Sequence, residues 1–136
     1  MRRLKYVEQL DQYGCSIACL SMIIGKSYFQ TREWLYKKGI SKCIVDPQNI
    51  GIYEQSFPNI LLKYFKIKSN WIKFKSLSSL KNNCIMFVVP KIPCPPFVRH
   101  CIIYCAVNKK ILDPAKHFKE KSNLPDCNVA YCLEIL

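Results

Sequence analysis

The segment from Cys15 to Ile24 constrains this chain most, because its residues are apolar on almost every side of a helix and two glycines bound it. A helix that is apolar all round has to be buried, so the segment predicts a central helix that Gly25 caps at its C-terminal end. Cys15 is then its first residue, where unpaired N–H groups and the helix dipole stabilise a thiolate nucleophile. Most cysteines simply pack in a core, so this position alone does not establish a site.

The length of 136 residues and the hydrophobic share of 50% predict one globular domain that spans residues 1–136. No apolar run reaches the roughly 18 residues of a membrane span, and no signal peptide is recognisable, so we expect a soluble cytoplasmic protein. The nine cysteines are odd in number and lack Cys-x2-Cys pairs. We therefore expect reduced thiols, with no zinc or other metal and no cofactor.

The formal net charge is +12, from 21 Lys and Arg against 9 Asp and Glu. Such a charge suits acidic partners such as nucleic acid or an anionic membrane. The lysines are scattered along the chain without a nucleic-acid recognition motif, a pattern that a solvated surface also explains. We therefore rank nucleic-acid binding behind other functions and keep an acidic partner or substrate as an expectation.

Hydrophobic periodicity predicts helices in the first half of the chain. After the helix that starts at Cys15, a second helix is expected at Tyr28–Lys38, with Thr31 as its N-terminal cap. A third, interrupted helical pattern runs from Asn49 to Phe65, with Pro58 either breaking it or starting its second half.

The second half of the chain predicts an antiparallel sheet, which makes the fold class α+β. The expected strands are Ser69–Lys75, Cys84–Val89, His100–Val107, Ile111–Pro114 and Val129–Ile135. A turn at Asn108–Lys110 would join the third and fourth of these into a hairpin. A proline-rich loop at Pro90–Pro96 and a polar loop at Lys116–Asp126 are expected between the strands.

His100 and Asp113 lie at the outer ends of the two hairpin strands. Together with Cys15 they fit a thiol–imidazole–carboxylate site, in which the thiol attacks a carbonyl carbon, the imidazole moves the proton and the carboxylate orients the imidazole. With the turn at Asn108–Lys110 the two are not directly opposite, so the carboxylate would have to reach the imidazole from the end of the neighbouring strand or from the loop after it. Taken singly, His100 also fits a surface histidine, and Asp113 fits a common Asp-Pro turn.

Gln9 lies six residues before Cys15, on the segment that leads into the helix. Its amide and the backbone N–H of Cys15 would stabilise an oxyanion next to the sulfur. His117, in a lysine-rich loop, is the alternative candidate for the base.

The pattern Gln9-x5-Cys15-x3-Cys19-Leu20-x-Met22-Ile23 resembles the catalytic helix of the bacteriocin-processing peptidases that remove double-glycine leaders, which are papain-like cysteine proteases. Further blocks resemble that family's apolar strand, catalytic-histidine strand and Asp-Pro-Ala turn: Leu80 with Ile85-Met86-Phe87-Val88, His100-Cys101-Ile102-Ile103-Tyr104, and Leu112-Asp113-Pro114-Ala115. The resemblance implies a papain-like fold, in which a helical half packs on an antiparallel sheet half with a cleft between them. It also implies that Cys15, His100 and Asp113 are catalytic and that Gln9 belongs to the oxyanion hole.

The favoured hypothesis is a freestanding cysteine peptidase, or a related acyl-transfer enzyme, that cleaves a peptide amide in a cleft flanked by the proline-rich loop. The first alternative is a weakly active or inactive relative that binds a peptide or protein partner in the same cleft. The second alternative is a basic nucleic-acid-binding module. Selective reactivity of one thiol would separate the first hypothesis from the other two.

Overall fold

The protein is described by a computed structural model that covers residues 2–41, 51–91, 99–115, 120–121 and 127–136. Its α-helices are α1 (Cys15–Ile24), α2 (Tyr28–Lys37) and α3 (Phe57–Phe65). Its strands are β1 (Ser69–Ile72), β2 (Cys84–Pro90), β3 (His100–Cys105), β4 (Lys110–Leu112), β5 (Glu120–Lys121) and β6 (Cys127–Ile135). Short 3-10 helices lie at Glu54–Ser56 and Leu77–Ser79. The α+β fold class is confirmed.

The strands form one sheet in the order β1-β6-β2-β3-β4-β5, and every neighbouring pair is antiparallel. The last strand of the chain, β6, lies between β1 and β2, and β1 and β5 are the two edge strands of the sheet. His100 at the start of β3 pairs with Val88 of β2. This pairing sets the histidine at one end of the central strands.

Alternate residues of the central strands serve two separate apolar cores. Ile85 and Phe87 of β2 pack with the helices, whereas Met86 and Val88 pack on the opposite side of the sheet. Eight of the ten residues of α1 are buried, which places this helix at the centre of the helical layer. The expectation of a central buried helix is confirmed.

The sequence correctly predicted the C-terminal cap of α1 but not the N-terminal cap of α2. Gly25 closes α1 in the left-handed conformation, with φ 72°, and donates its N–H to Ser21 O, as expected. Thr31 as the cap of α2 is wrong: Ser27 Oγ accepts from Gln30 N, and the Gln30 side chain accepts from Ser27 N. Because Tyr28 is already helical, the cap has to precede it.

Three expectations about the strands and loops need correction. The hairpin turn lies at residues 106–109 rather than 108–110, since Cys105 pairs with Lys110, and Lys109 takes a φ of 56°. β1 ends at Ile72, three residues earlier than expected. The expected polar loop at 116–126 contains β5, which pairs with β4.

Most of the proline-rich loop and His117 lie outside the described residues. Within the described ranges, none of the helices has the length and apolar character that crossing a membrane requires.

Phe57 is expected to be a main stabilising contact between the helices and the sheet. Its side chain is fully buried, and its ring centroid lies 5.5 Å from that of Phe87 on β2. We expect Phe57→Ala to lower the free energy of unfolding by about 3–5 kcal/mol, because a cavity replaces the ring. Urea denaturation under reducing conditions measures this, with the half-exposed Phe29→Ala as control. Equal losses in the two variants would contradict the assigned packing.

Candidate active site

Cys15 is the first residue of α1 and follows directly on Gly14, the N-terminal capping residue. Because Gly14 has no side chain, it provides no acceptor for the first N–H groups of the helix. The Cys15 thiol is free and half-buried, in contrast to the fully buried Cys19 one turn later. The local sequence thus places a partly accessible sulfur beside backbone donors and the positive end of a helix dipole.

The structure brings His100 and Asp113 together through the register of the β3–β4 hairpin. Continuing the pairing of Ile103 with Leu112 by one step sets Asp113 opposite Ile102, two residues from His100 and on the same side of the hairpin. His100 Nε2 lies 2.6 Å from Asp113 Oδ1, and the two side chains are 22% and 6% exposed. The carboxylate therefore holds the imidazole in one orientation, away from bulk water.

The turn that carries Asp113 is fixed by the first residues of the chain. Tyr6 Oη donates to Asp113 O at 2.9 Å, and Gln9 N donates to Pro114 O at 2.9 Å. Ala115 N donates to Asp113 Oδ1 at 3.0 Å, so the carboxylate is also bound by the backbone of its own turn. Burial, followed by the charge of Glu8, raises the pKa of Tyr6 to about 12, so its hydroxyl remains a donor at neutral pH.

The Cys15 thiol lies near enough to His100 to interact with its imidazole and to help raise its pKa. Since Nε2 is taken by Asp113, Nδ1 is the ring nitrogen left for the sulfur. Burial alone would lower the pKa of His100, but its hydrogen bond to Asp113 and its interaction with Cys15, together with the charges of both groups, raise it from 6.5 to about 10. The imidazole therefore interacts with both groups that the sequence assigned to it and favours its charged form at neutral pH.

Gln9 is engaged within its own loop. Its Nε2 donates to Asp11 O at 3.1 Å and to Gln12 O at 3.0 Å. Its Oε1 is buried and has no hydrogen-bond partner among the described residues. Both amide hydrogens are used in these bonds, so the expected oxyanion role of Gln9 stays a prediction. The N–H groups at the start of α1 remain as donors next to the sulfur.

Two buried thiols behind the site were not assigned a place by the sequence analysis. Cys19 lies one turn after Cys15 on α1, Cys101 directly follows His100 on β3, and each of these two thiols affects the pKa of the other. Burial raises the pKa of both thiols, which keeps them protonated at neutral pH. Their inaccessibility separates them from the half-buried Cys15. Only the packing of α1 on β3 could show this contact.

The segment after Gly51 was also missed, and it connects the two halves of the site. Ile52 N donates to Ser16 Oγ at 2.9 Å, next to Cys15, and Glu54 forms an ion pair with Arg99, next to His100. These contacts join residues 36 and 45 positions apart, and no local sequence signal marks them.

Within the described ranges, no group of three or more His, Cys, Asp or Glu could hold a metal ion.

The raised pKa of His100 predicts a specific pH dependence of stability. Because the pKa in the folded protein (about 10) exceeds the ordinary value of 6.5, the stabilisation is fully present below pH 6.5 and is lost as the pH rises towards 10. We expect the free energy of unfolding of the wild type to fall, relative to that of His100→Gln, between pH 6.5 and 10. Urea denaturation of both proteins at several pH values in a reducing buffer checks this. A difference that does not change with pH would contradict it.

Comparison of the chain with protein-family models, with curated proteins and with solved structures gives no match. The chemistry of the site is therefore inferred from the residues and contacts described above.

Proposed function

We propose that this protein is a papain-like cysteine peptidase, or a related acyl-transfer enzyme, that cleaves a peptide amide through Cys15, His100 and Asp113. The observation that carries the proposal is the place of His100, whose Nε2 lies 2.6 Å from Asp113 Oδ1 and whose imidazole also interacts with the Cys15 thiol. This is the order of groups that an activated thiol nucleophile needs. The arrangement of a buried helix packed on an antiparallel sheet, with the thiol at the helix start and the histidine at a strand start, also supports a papain-like fold.

In the proposed reaction the Cys15 sulfur attacks the carbonyl carbon of a peptide bond, while His100 carries the thiol proton. His100 then protonates the leaving amine, and an acyl-enzyme remains on Cys15. Water, or another nucleophile in the acyl-transfer case, resolves this thioester. Asp113 holds the imidazole in the orientation that serves both steps.

The oxyanion of the tetrahedral intermediate would form beside the start of α1. The backbone N–H of Cys15 is positioned to donate to it, since Gly14 offers that turn no side-chain acceptor. Gln9 would join only after exchanging one of its bonds to Asp11 O and Gln12 O for the oxyanion. Loss of a single oxyanion donor typically slows such reactions by about 10²–10³-fold.

The charge of the molecule favours an acidic peptide or protein substrate. The carboxylates of Asp11, Glu33 and Glu54 are ion-paired with Arg32, Lys37 and Arg99. The 21 Lys and Arg exceed the 9 Asp and Glu by twelve, so the molecule carries a strong positive charge. Such a field raises the rate of encounter with acidic partners at low ionic strength.

A second candidate function is peptide or protein binding without efficient turnover. The engaged amide of Gln9 favours it, because an oxyanion hole with one donor withheld would catalyse slowly. Measuring the reactivity of the thiol separately from turnover distinguishes the two candidates.

Site-resolved alkylation tests the proposed nucleophile. We expect iodoacetamide to modify Cys15 at least tenfold faster than Cys127, the other half-buried cysteine of the described residues. Replacement of His100 by Ala should remove that advantage, because the sulfur then loses its base, while leaving alkylation of Cys127 unchanged. Mass spectrometry of peptides after timed labelling measures both rates in one sample.

The result that would overturn the proposal is a similar alkylation rate at Cys15 and Cys127 in the wild type, or a Cys15 rate that His100→Ala does not change. Circular dichroism of His100→Ala has to match that of the wild type, since unfolding would expose every thiol. If the variant unfolds, His100→Gln serves in its place.

A further inference from the structure

We propose that Asp11 is a positioning residue of this site, held by Tyr28 and Arg32 of α2, and that it fixes the loop which sets the N–H groups at the start of α1. The inference rests on the proposed peptidase function and extends it to residues that do not touch the reacting groups. Sequence analysis assigned no role to any of the three. The loop in question, residues 9–14, ends directly before Cys15.

The carboxylate of Asp11 is bound from α2 by two donors. Tyr28 Oη donates to Asp11 Oδ2 at 2.6 Å, and Arg32 Nη1 lies 3.3 Å from the same oxygen. Burial of Tyr28, and then its bond to Asp11, raise the pKa of its hydroxyl well above 10, so it stays a donor at any working pH. Only about a quarter of each side chain of the ion pair is exposed, so solvent screens it less than a surface pair.

The backbone of Asp11 holds the loop itself. Asp11 O accepts from Gly14 N at 3.1 Å and from Gln9 Nε2 at 3.1 Å. One residue therefore ties α2 to the first and the last position of the loop. Movement of Asp11 would move both of the sequence-assigned oxyanion groups, the Gln9 amide and the N–H that follows Gly14.

The close approach at Gly14 supports the same conclusion independently. A Cβ at this position would lie 1.9 Å from Tyr28 Oη, although the φ of −93° suits any residue. Glycine is thus required here for space, not for backbone conformation. The Tyr28 hydroxyl lies directly against the residue before Cys15, where it fixes how α1 begins.

This placement matters for acyl chemistry more than for simple thiol reactivity. A tetrahedral adduct needs the N–H donors about 2.7–3.1 Å from the oxyanion, and a displacement near 1 Å can cost about 10²-fold. Alkylation by iodoacetamide develops no oxyanion, so it reports on the thiolate, which His100 and the helix dipole stabilise, rather than on the exact position of the oxyanion donors. The two reactions therefore report on different parts of the site.

The test compares both reactions in Tyr28→Phe, which removes the hydroxyl and keeps the buried ring. Acetylated tripeptide aldehydes ending in Gly, Leu, Phe or Arg are first assayed for protection of wild-type Cys15 against iodoacetamide, and the best one is used. A peptide aldehyde adds the thiol reversibly and places an oxyanion in the hole. Tyr36→Phe, an exposed tyrosine on the same helix, is the matched control.

We expect Tyr28→Phe to weaken protection by the aldehyde at least tenfold and to change the alkylation rate of Cys15 by less than twofold. Tyr36→Phe should leave both unchanged. Asp11→Asn, whose amide oxygen still accepts from Tyr28, should retain more protection than Asp11→Ala. A merely structural role would change both reactions together, in step with a loss of thermal stability.

Aldehyde protection of Tyr28→Phe equal to that of the wild type would overturn this inference and leave the peptidase proposal standing. The absence of protection by every aldehyde in the wild type would overturn the peptidase proposal, and this inference with it. If Tyr28→Phe does not fold, the comparison of Asp11→Asn with Asp11→Ala decides in the same way.

Discussion

The burial of α1 against the sheet is the constraint on which the rest of this structure depends. Because α1 has almost no polar face, it can only lie between the other helices and the inner face of the sheet. The helix ends at the Gly25 cap, and Cys15 is at its other end. That end of α1 lies near the start of β3. The meeting of Cys15 with His100 follows from this packing, since each is the first residue of the element that carries it.

Around that contact, several elements contribute one bond each. The hairpin supplies Asp113, the N-terminal segment fixes the Asp113 turn through Tyr6, and α2 fixes the loop before Cys15 through Tyr28. Each bond leaves a side chain little freedom to reorient, which keeps the geometry of the site fixed. The cost is that the Gln9 amide is satisfied by its own loop, so full oxyanion stabilisation would require a local rearrangement.

The sequence predicted the elements whose signals are local. The apolar run with its two glycines predicted α1 to the residue, and the run from Cys84 to Val89 predicted β2 within one residue. The sequence analysis missed the contacts between residues that are far apart along the chain. The hairpin turn starts two residues earlier than expected, at Ala106, whose N–H donates to Asn83 Oδ1 across 23 positions of the chain. This earlier turn sets Asp113 diagonal to His100. The pairing of Cys19 with Cys101 and the hold of α2 on Asp11 likewise depend on packing that no short pattern encodes.

The central claim is that Cys15, His100 and Asp113 act together on peptide bonds. The most direct measurement incubates the protein with a complex library of peptides derived from a whole proteome and identifies new termini by mass spectrometry. Cys15→Ser and Asp113→Ala, purified in the same way, are the comparisons. The account predicts a set of cleavages that the wild type makes, that Cys15→Ser does not make, and that Asp113→Ala makes far more slowly. The same termini in all three samples, or none in the wild type, would contradict it.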